Sequence, residues 1–210
     1  MSRYRSLVAL AVLSVGAAIP VSAQLVNDGG FDAVGVSAYA YNPSSPFWSF
    51  VGGSGLIIGP AALWNVPATA ASNQFAFLQA NARRDWGIIS TTITLPTSGT
   101  YSLSFLNSAR GAGCCGGNTI FDVLLGSTQI GQFTTSTDDG WTTKGSNFTA
   151  NAGTYTLAFT TDTKLAGDNT TFIDDVRVDV VATPEPASIA LFATGLLSIG
   201  GIATRRKRRA

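Results

Sequence analysis

Apolar or β-branched side chains occupy every second position in residues 89–95, 101–105 and 155–159. A period of two is typical of a β-strand that buries one face. Six further strands are predicted at residues 47–51, 74–78, 119–125, 128–133, 141–148 and 172–181. No segment has the 3.6-residue period of an amphipathic helix, and Gly, Asn, Asp and Pro clusters separate the strands. The pattern therefore predicts an all-β domain built as an antiparallel β-sandwich.

A short internal repeat supports this interpretation. The sequence GTYSLSF at residues 99–105 recurs as GTYTLAF at residues 153–159. In each copy a glycine precedes a strand whose aromatic and aliphatic side chains share one face. We expect the two copies to occupy comparable positions in the sandwich, since two copies are too few for a solenoid.

The N-terminal segment has the order of a secretory signal peptide. Arg3 and Arg5 precede an apolar run at residues 7–19, and Val-Ser-Ala at residues 21–23 provides small residues for cleavage. The alternative is an uncleaved anchor, but this run is short for a membrane span and Pro20 interrupts it. The mature chain is therefore predicted to begin at Gln24.

The C-terminal segment has three parts in a fixed order. Pro184, Glu185 and Pro186 come first, an apolar run follows at residues 187–203, and five consecutive cations fill residues 205–209. The prolines cannot continue a sheet, which predicts that the folded domain ends near Ala182. A helix over residues 187–204 would be about 27 Å long, close to the thickness of the bilayer core. Because cations beside a span stay on the cytoplasmic side, the domain is expected outside the cell.

This order of motif, apolar run and cation cluster resembles the PEP-CTERM sorting signal of bacterial exported proteins. The resemblance implies that an exosortase recognises Pro184-Glu185-Pro186, that Arg205 and Arg206 belong to the terminal Arg cluster, and that the host makes exopolysaccharide. It also implies transient anchoring in the inner membrane before processing. The alternative is a plain C-terminal membrane anchor. The predicted organisation is a signal peptide at 1–23, a β-sandwich at 24–182 and the sorting signal at 183–210.

Charge and composition exclude several function classes. Seven of the thirteen cations lie in the two terminal segments, which leaves six cations against eleven aspartates and a net charge of −5 for residues 24–182. A nucleic-acid partner is not expected, because phosphate binding requires a basic surface. The chain has no histidine, and its one glutamate is Glu185. Catalysis by Ser-His-Asp or Cys-His groups is thereby excluded, and we expect no enzyme. Five scattered aspartates are interpreted as solvated surface groups: Asp85, Asp122, Asp138, Asp139 and Asp162.

A second resemblance covers nearly the whole predicted domain. The motifs in chain order are LVNDGGFD at 25–32, Trp48 before a Gly-rich turn, QFAFLQ at 74–79, the two GTYxLxF strands, FDVLL at 121–125, Trp141 and DNTTFIDDVRV at 168–178. This order is similar to the galactose-binding-like jelly rolls, which include carbohydrate-binding modules. The resemblance implies a jelly-roll fold and a carbohydrate ligand. With the missing histidine and the lack of a second glutamate, the leading hypothesis is a non-enzymatic protein of the cell surface or extracellular matrix that binds carbohydrate. A purely structural matrix or adhesion protein is the alternative, and a polysaccharide-active enzyme is the third hypothesis.

Asp174 has an unusual position in the last predicted strand. The period-two rule places Phe172, Asp174, Val176, Val178 and Val180 on one face, and a buried carboxylate requires a partner. Backbone N–H groups or an arginine are one alternative. The jelly-roll resemblance implies another, a structural Ca²⁺ held by Asp174 and by the acidic residue of the first segment, Asp32. The weaker candidate ligands are Asn27, Asp28 and Asp175. Oxygen ligands of this kind suit Ca²⁺.

Cys114 and Cys115 are adjacent in a Gly-rich segment at residues 111–117. An exported chain meets an oxidising compartment, so an intramolecular disulfide between them is expected. Its ring is strained, because a trans peptide holds neighbouring Cα atoms about 3.8 Å apart. Two free thiols or cross-links between chains are the alternatives.

The remaining candidates are aromatic side chains that could stack on a sugar ring. Trp48 lies in the apolar run Phe-Trp-Ser-Phe and is expected in the core. Trp64 and Trp86 lie in less regular segments, and with Arg110 they are the candidate ligand-binding residues. Tyr39, Tyr41 and Trp141 are further aromatic candidates, although packing is the commoner role for such residues.

Overall fold

A computed structural model describes residues 24–59, 64, 73–80, 86–111, 118–137, 139–161 and 169–181. These residues form eleven β-strands: β1 (Tyr39–Tyr41), β2 (Trp48–Val51), β3 (Ser54–Ile58), β4 (Gln74–Ala80), β5 (Ile88–Leu95), β6 (Gly99–Ala109), β7 (Thr119–Leu125), β8 (Thr128–Thr135), β9 (Thr142–Ala150), β10 (Gly153–Thr161) and β11 (Asn169–Val180). Within these ranges no helix has the length and apolarity needed to cross a bilayer. Both predicted terminal signals lie outside the described residues.

The strands form two sheets that pack face to face. The six-stranded sheet has the order β1-β3-β4-β11-β6-β9, and the five-stranded sheet has the order β2-β5-β10-β7-β8. Every pairing is antiparallel. The predicted all-β antiparallel sandwich is therefore confirmed.

All nine predicted strands are present, several of them longer than the alternation indicated. Two strands were missed. β1 has only three residues, and β3 is buried at its first four positions, so neither shows a polar-apolar alternation. A strand that is buried on both faces loses the period-two signal.

The two GTYxLxF copies fall in opposite sheets. The first forms the start of β6 and the second the start of β10. Their inward side chains meet in the core between the sheets, where the rings of Phe105 and Phe159 lie 5.2 Å apart in an edge-to-face contact. The expectation of comparable positions is thus met across the core.

A second, smaller apolar cluster lies on the outer face of the six-stranded sheet. Along β4, Ala76 and Leu78 point into the main core, whereas Phe75 and Phe77 point the other way. The outer cluster is formed by Ile57, Phe75, Phe77 and Phe172, with Tyr41, Trp64 and Trp141 packed against it. This sheet is consequently covered by apolar side chains on both faces where β3, β4 and β11 run side by side.

Gln74 attaches the N-terminal segment to β4. Its side chain is almost fully buried, with 6% exposed. The Nε2 atom donates to the carbonyls of Phe31 and Val34, at 2.5 and 2.6 Å, and Oε1 accepts from the Val36 amide at 3.0 Å. One glutamine therefore satisfies three backbone groups of an irregular segment that lacks its own ladder.

We predict that Gln74→Ala lowers the free energy of unfolding by about 2 to 4 kcal/mol, because buried backbone groups lose their partners. Chemical denaturation of the mature domain measures this loss. Gln132→Ala is the matched control: its exposed amide donates to Asp122, and the expected change is below about 0.5 kcal/mol. Equal losses in the two variants would contradict the proposed role of Gln74.

Candidate functional site

A β-bulge in β11 decides where its side chains point. The pairing with β6 shifts register between Asp174 and Arg177, and Asp175 has a positive φ of 48°. Ile173 and Val176 both face the inter-sheet core although three positions separate them. The extra residue of a bulge produces this spacing.

The prediction that Phe172, Val176 and Val178 share one face of the last strand is wrong, because the bulge lies between them. Phe172 belongs to the outer cluster, whereas Val176 and Val178 belong to the inter-sheet core. Val180 lies beyond the core and is 42% exposed. The period-two rule failed here because it assumes an uninterrupted ladder, and the insertion switches the parity of every residue after it.

Asp174 is fully buried at the bulge. Its Oδ1 atom accepts a hydrogen bond from the Asp175 amide at 2.7 Å. A Cβ placed on Gly30 would lie 3.9 Å from this oxygen and 3.2 Å from Oδ2 of Asp32. The structure therefore brings the Asp32 and Asp174 side chains to the same small space beside Gly30, as the jelly-roll resemblance implied.

The N-terminal segment reaches this position by lying directly against β11. The Val176 amide donates to the carbonyl of Gly29 at 2.9 Å. A Cβ on Gly29 would lie 2.1 Å from the Val176 carbonyl oxygen, so no side chain fits at this point. The backbone of Gly29 thus becomes the hydrogen-bonding neighbour of β11 beyond the start of β4, where the pairing between β4 and β11 stops.

Asp28 shapes the turn of this segment. Its Oδ1 atom accepts from the amides of Asp32 and Ala33, at 2.8 and 3.1 Å, and its carbonyl accepts from the indole of Trp48 at 2.8 Å. Burial raises the pKa of the Asp28 carboxyl above its ordinary value of 3.8, against the opposing effect of these two amide hydrogen bonds. The buried Trp48, predicted as a core residue, therefore fixes the turn as well.

The other predicted ligands are arranged differently. Asp175 points to the surface and forms an ion pair with Arg177 at 2.8 Å, and Asn27 is exposed. The described part of the chain has no group of three or more His, Cys, Asp and Glu side chains that could hold a metal. Of the predicted ligands, the structure brings only Asp32, which is exposed, and the buried Asp174 together beside Gly30.

An aromatic face covers the outer cluster near β1 and β3. The ring of Trp64 lies 5.1 Å from that of Tyr39 and 4.9 Å from that of Phe77. The guanidinium carbon of Arg110 lies 5.0 Å from the Trp64 ring centroid, within the range of a cation–π contact. Tyr39 is 46% exposed. We call Tyr39, Tyr41, Trp64 and Arg110 the aromatic face.

Polar side chains hold this face in place. The Tyr41 hydroxyl donates to Oε1 of Gln79 at 2.6 Å, and Nε2 of Gln79 donates to Oγ1 of Thr170 at 3.1 Å. Gln79 and Thr170 were not among the predicted site residues. The alternation along β4 places Gln79 on the same outward face as Phe75 and Phe77, and this was the only sequence feature that pointed to it. Its hydrogen-bond partners come from distant strands.

The structure separates the two predicted sugar-binding tryptophans. Trp86 directly precedes Gly87 and β5 of the other sheet, is 51% exposed and makes no ring contact with the described aromatic side chains. Trp141 packs edge-to-face on Phe75 at 5.0 Å. Of the predicted ligand-binding residues, Trp64 and Arg110 therefore lie together, and Trp86 does not join them.

Several further predictions concern other positions. The Asp122 carboxylate accepts from the amides of Gln129 and Gln132, and Asp139 accepts from the Ser136 amide. Both act as ordinary hydrogen-bonded surface groups. The remaining positions lie outside the described residues: Asp85, Asp138, Asp162, Cys114, Cys115, Pro184, Glu185, Pro186, Arg205 and Arg206. The disulfide stays a prediction.

Comparison with known families identifies the C-terminal segment. Residues 182–209 match the PEP-CTERM protein-sorting motif. The chain carries a PEP-CTERM sorting signal. This motif indicates an exported protein that an exosortase processes. No curated protein has a matching sequence.

Solved structures confirm the fold of the β-sandwich domain. The Stig cyclase Fisc from Fischerella sp. TAU matches with a TM-score of 0.57 and 12% identity, over 78% of this chain and 100% of that chain. The module TmCBM61, solved with β-1,4-galactotriose, matches with a TM-score of 0.52 and 15% identity, over 76% of this chain and 100% of that chain. A cyclase and a sugar-binding module thus share one jelly-roll fold, and at these identities the likeness concerns the fold alone.

Proposed function

We propose that this protein is a non-enzymatic component of the cell surface or extracellular matrix that binds polysaccharide through the aromatic face. The observation that carries the proposal is the exposed Tyr39 ring beside Trp64, with the Arg110 guanidinium over the same indole. An exposed aromatic ring held against half-buried rings is a typical feature of an interaction site. The module TmCBM61 was solved with a galactan trisaccharide, which supports the choice of ligand class.

The chemistry of the aromatic face suits a sugar. Aromatic rings pack against the apolar C–H face of a pyranose, and they lose little conformational entropy because the neighbouring rings already fix them. Arg110 offers several N–H donors in a planar arrangement, which can be shared among sugar hydroxyls. Tyr41 and Gln79 are already hydrogen-bonded to each other, so they position the rings.

The described residues of the aromatic face include no catalytic acid and base. The chain has no histidine, and no described carboxylate lies among the residues of the aromatic face. A glycoside hydrolase would require two carboxyl groups on either side of the bound sugar. The aromatic face therefore offers stacking and hydrogen bonding, without an acid and base pair.

We predict that the mature protein is retained by at least one member of a panel of polysaccharides that includes β-1,4-galactan. Trp64→Ala and Tyr39→Ala should each weaken this binding by about tenfold or more, because each removes a stacking ring. Affinity electrophoresis measures the change.

Trp86→Ala is the matched control, because Trp86 is exposed and makes no ring contact with the described rings of the aromatic face. Its binding should stay within about twofold of the parent protein. Binding that is lost with Trp86 but kept without Trp64 would contradict the site. No binding to the whole panel would favour a purely structural protein, and hydrolysis of the panel would favour an enzyme.

We also propose that Asp32 and Asp174 hold a structural Ca²⁺. The two carboxylates flank Gly30, and Asp174 is fully buried. A bound Ca²⁺ would neutralise their charge and join the N-terminal segment to the last strand. Asp28 and the backbone of the same turn are close enough in sequence to supply further oxygens, whereas Asp175 is paired with Arg177.

The calcium proposal predicts a stability increment in calcium. An ion that binds only the folded state stabilises it by about 2.7 kcal/mol at a hundredfold excess over Kd. Asp174→Asn should remove most of this increment, whereas Asp122→Asn at a surface carboxylate should retain it. Thermal unfolding in chelator and in millimolar calcium measures both. Identical Tm values under the two conditions, with no metal bound to the purified protein, would exclude the ion.

A further inference from the structure

The sandwich has two ends of different character. One end carries three short connections, at residues 96–98, 126–127 and 151–152, and we call it the turn end. Here Gly99 of β6 pairs with Ala150 of β9, and Leu95 of β5 pairs with Gly153 of β10. The opposite end, the loop end, carries the two-residue connection between β2 and β3 and the longer connections that follow β4, β6, β8 and β10.

The chain leaves the domain at the turn end. The last backbone hydrogen bond of the six-stranded sheet joins the Val181 amide to the Thr100 carbonyl at 3.0 Å. The PEP-CTERM motif begins at the next residue, and its apolar run begins at residue 187. Only residues 182–186 separate the two, and a fully extended stretch of that length spans at most about 18 Å.

The surface of the turn end suits close approach to lipid headgroups. The three connections contain no charged residue: Pro96, Thr97, Ser98, Gly126, Ser127, Asn151 and Ala152. Val180 and Val181 are exposed beside them, at 42% and 37%. Asp179, near the end of β11, is the acidic residue beside them. Such a surface brings little like-charge repulsion or desolvation cost to a contact with phosphate headgroups.

The aromatic face lies toward the loop end. Arg110 follows β6, and its amide donates to the Thr170 carbonyl at 3.2 Å, near the start of β11. The twelve residues of β11 separate this level from Val181 by about 35 Å, at about 3.3 Å per residue. Through the pairs Tyr41↔Gly55, Gly55↔Phe77 and Phe77↔Phe172, Tyr41 lies level with Phe172. The aromatic face therefore lies over the first half of β11, whereas the chain leaves the domain after its second half.

We propose that the turn end lies against the membrane surface while the sorting signal anchors the unprocessed chain, and that the aromatic face is held away from the bilayer. The short tether and the rigid β11 together fix this orientation. The inference rests on the sorting motif and on the topology, and it is independent of what the aromatic face binds. The partner of the turn end is a lipid bilayer surface.

Energy transfer to a membrane acceptor tests the orientation. The unprocessed full chain is reconstituted in phosphatidylglycerol-containing vesicles with an acceptor-labelled lipid, and a donor dye is attached through p-azidophenylalanine. Gly99 at the turn end and Gly140 at the loop end are matched label sites, because a Cβ at either would meet no atom within 4 Å. With the label sites about 30 Å apart along the strands, transfer from Gly99 should exceed transfer from Gly140 by about twofold or more.

A flexible insertion provides the control. A twenty-residue Gly-Ser segment after Ala182 releases the short tether, and the difference between the two label sites should then fall markedly. Equal transfer from the two sites in the parent chain, or stronger transfer from Gly140, would overturn the proposal. A chain that does not float with the vesicles would overturn it too, because the anchor itself would then be missing.

Discussion

The orientation of the β11 side chains depends on the bulge at Asp174 and Asp175. Before this inserted residue Phe172 faces the outer cluster and Ile173 faces the core between the sheets, and after it the parity changes, so that Val176 faces the core. The strand also leaves β4 at this point and takes the backbone of Gly29 as its neighbour. A bulge often re-aims side chains in this way beside a functional site. Here it places a buried carboxylate where the N-terminal segment crosses.

The outer cluster connects the fold to the proposed function. A sheet of an ordinary sandwich buries one face and presents polar side chains on the other. In this protein β4 is buried along its whole length. Its outer side is covered by the aromatic side chains of Tyr41, Trp64 and Trp141. The same packing that stabilises Phe77 therefore presents the Trp64 and Tyr39 rings as a rigid surface. Ordered rings of this kind bind with little loss of side-chain entropy.

The sequence alone predicted the strands that have one solvent-exposed face, because the alternation of apolar and polar side chains is a local property. It missed β3, whose side chains are buried in succession, and it misassigned Val176, since a bulge changes the parity without any local signal. The family resemblance led to the prediction that Asp32 and Asp174 lie close together. The structure explains this proximity through the hydrogen bond between Val176 and Gly29. Gln79 and Thr170 could not be found in advance, because their pairing depends on strand order. Tertiary pairing of this kind is outside the reach of periodicity.

The most direct test of the account follows the four indole N–H signals of the mature protein by NMR while the polysaccharide that it retains best is added. The account predicts that the Trp64 signal shifts and that the Trp48 signal stays, because the Trp48 indole is buried and donates to the Asp28 carbonyl. The Trp86 signal should stay as well, because Trp86 precedes β5 and makes no ring contact with the aromatic face. A shift confined to Trp86, with Trp64 unchanged at saturation, would contradict the aromatic face as the binding surface.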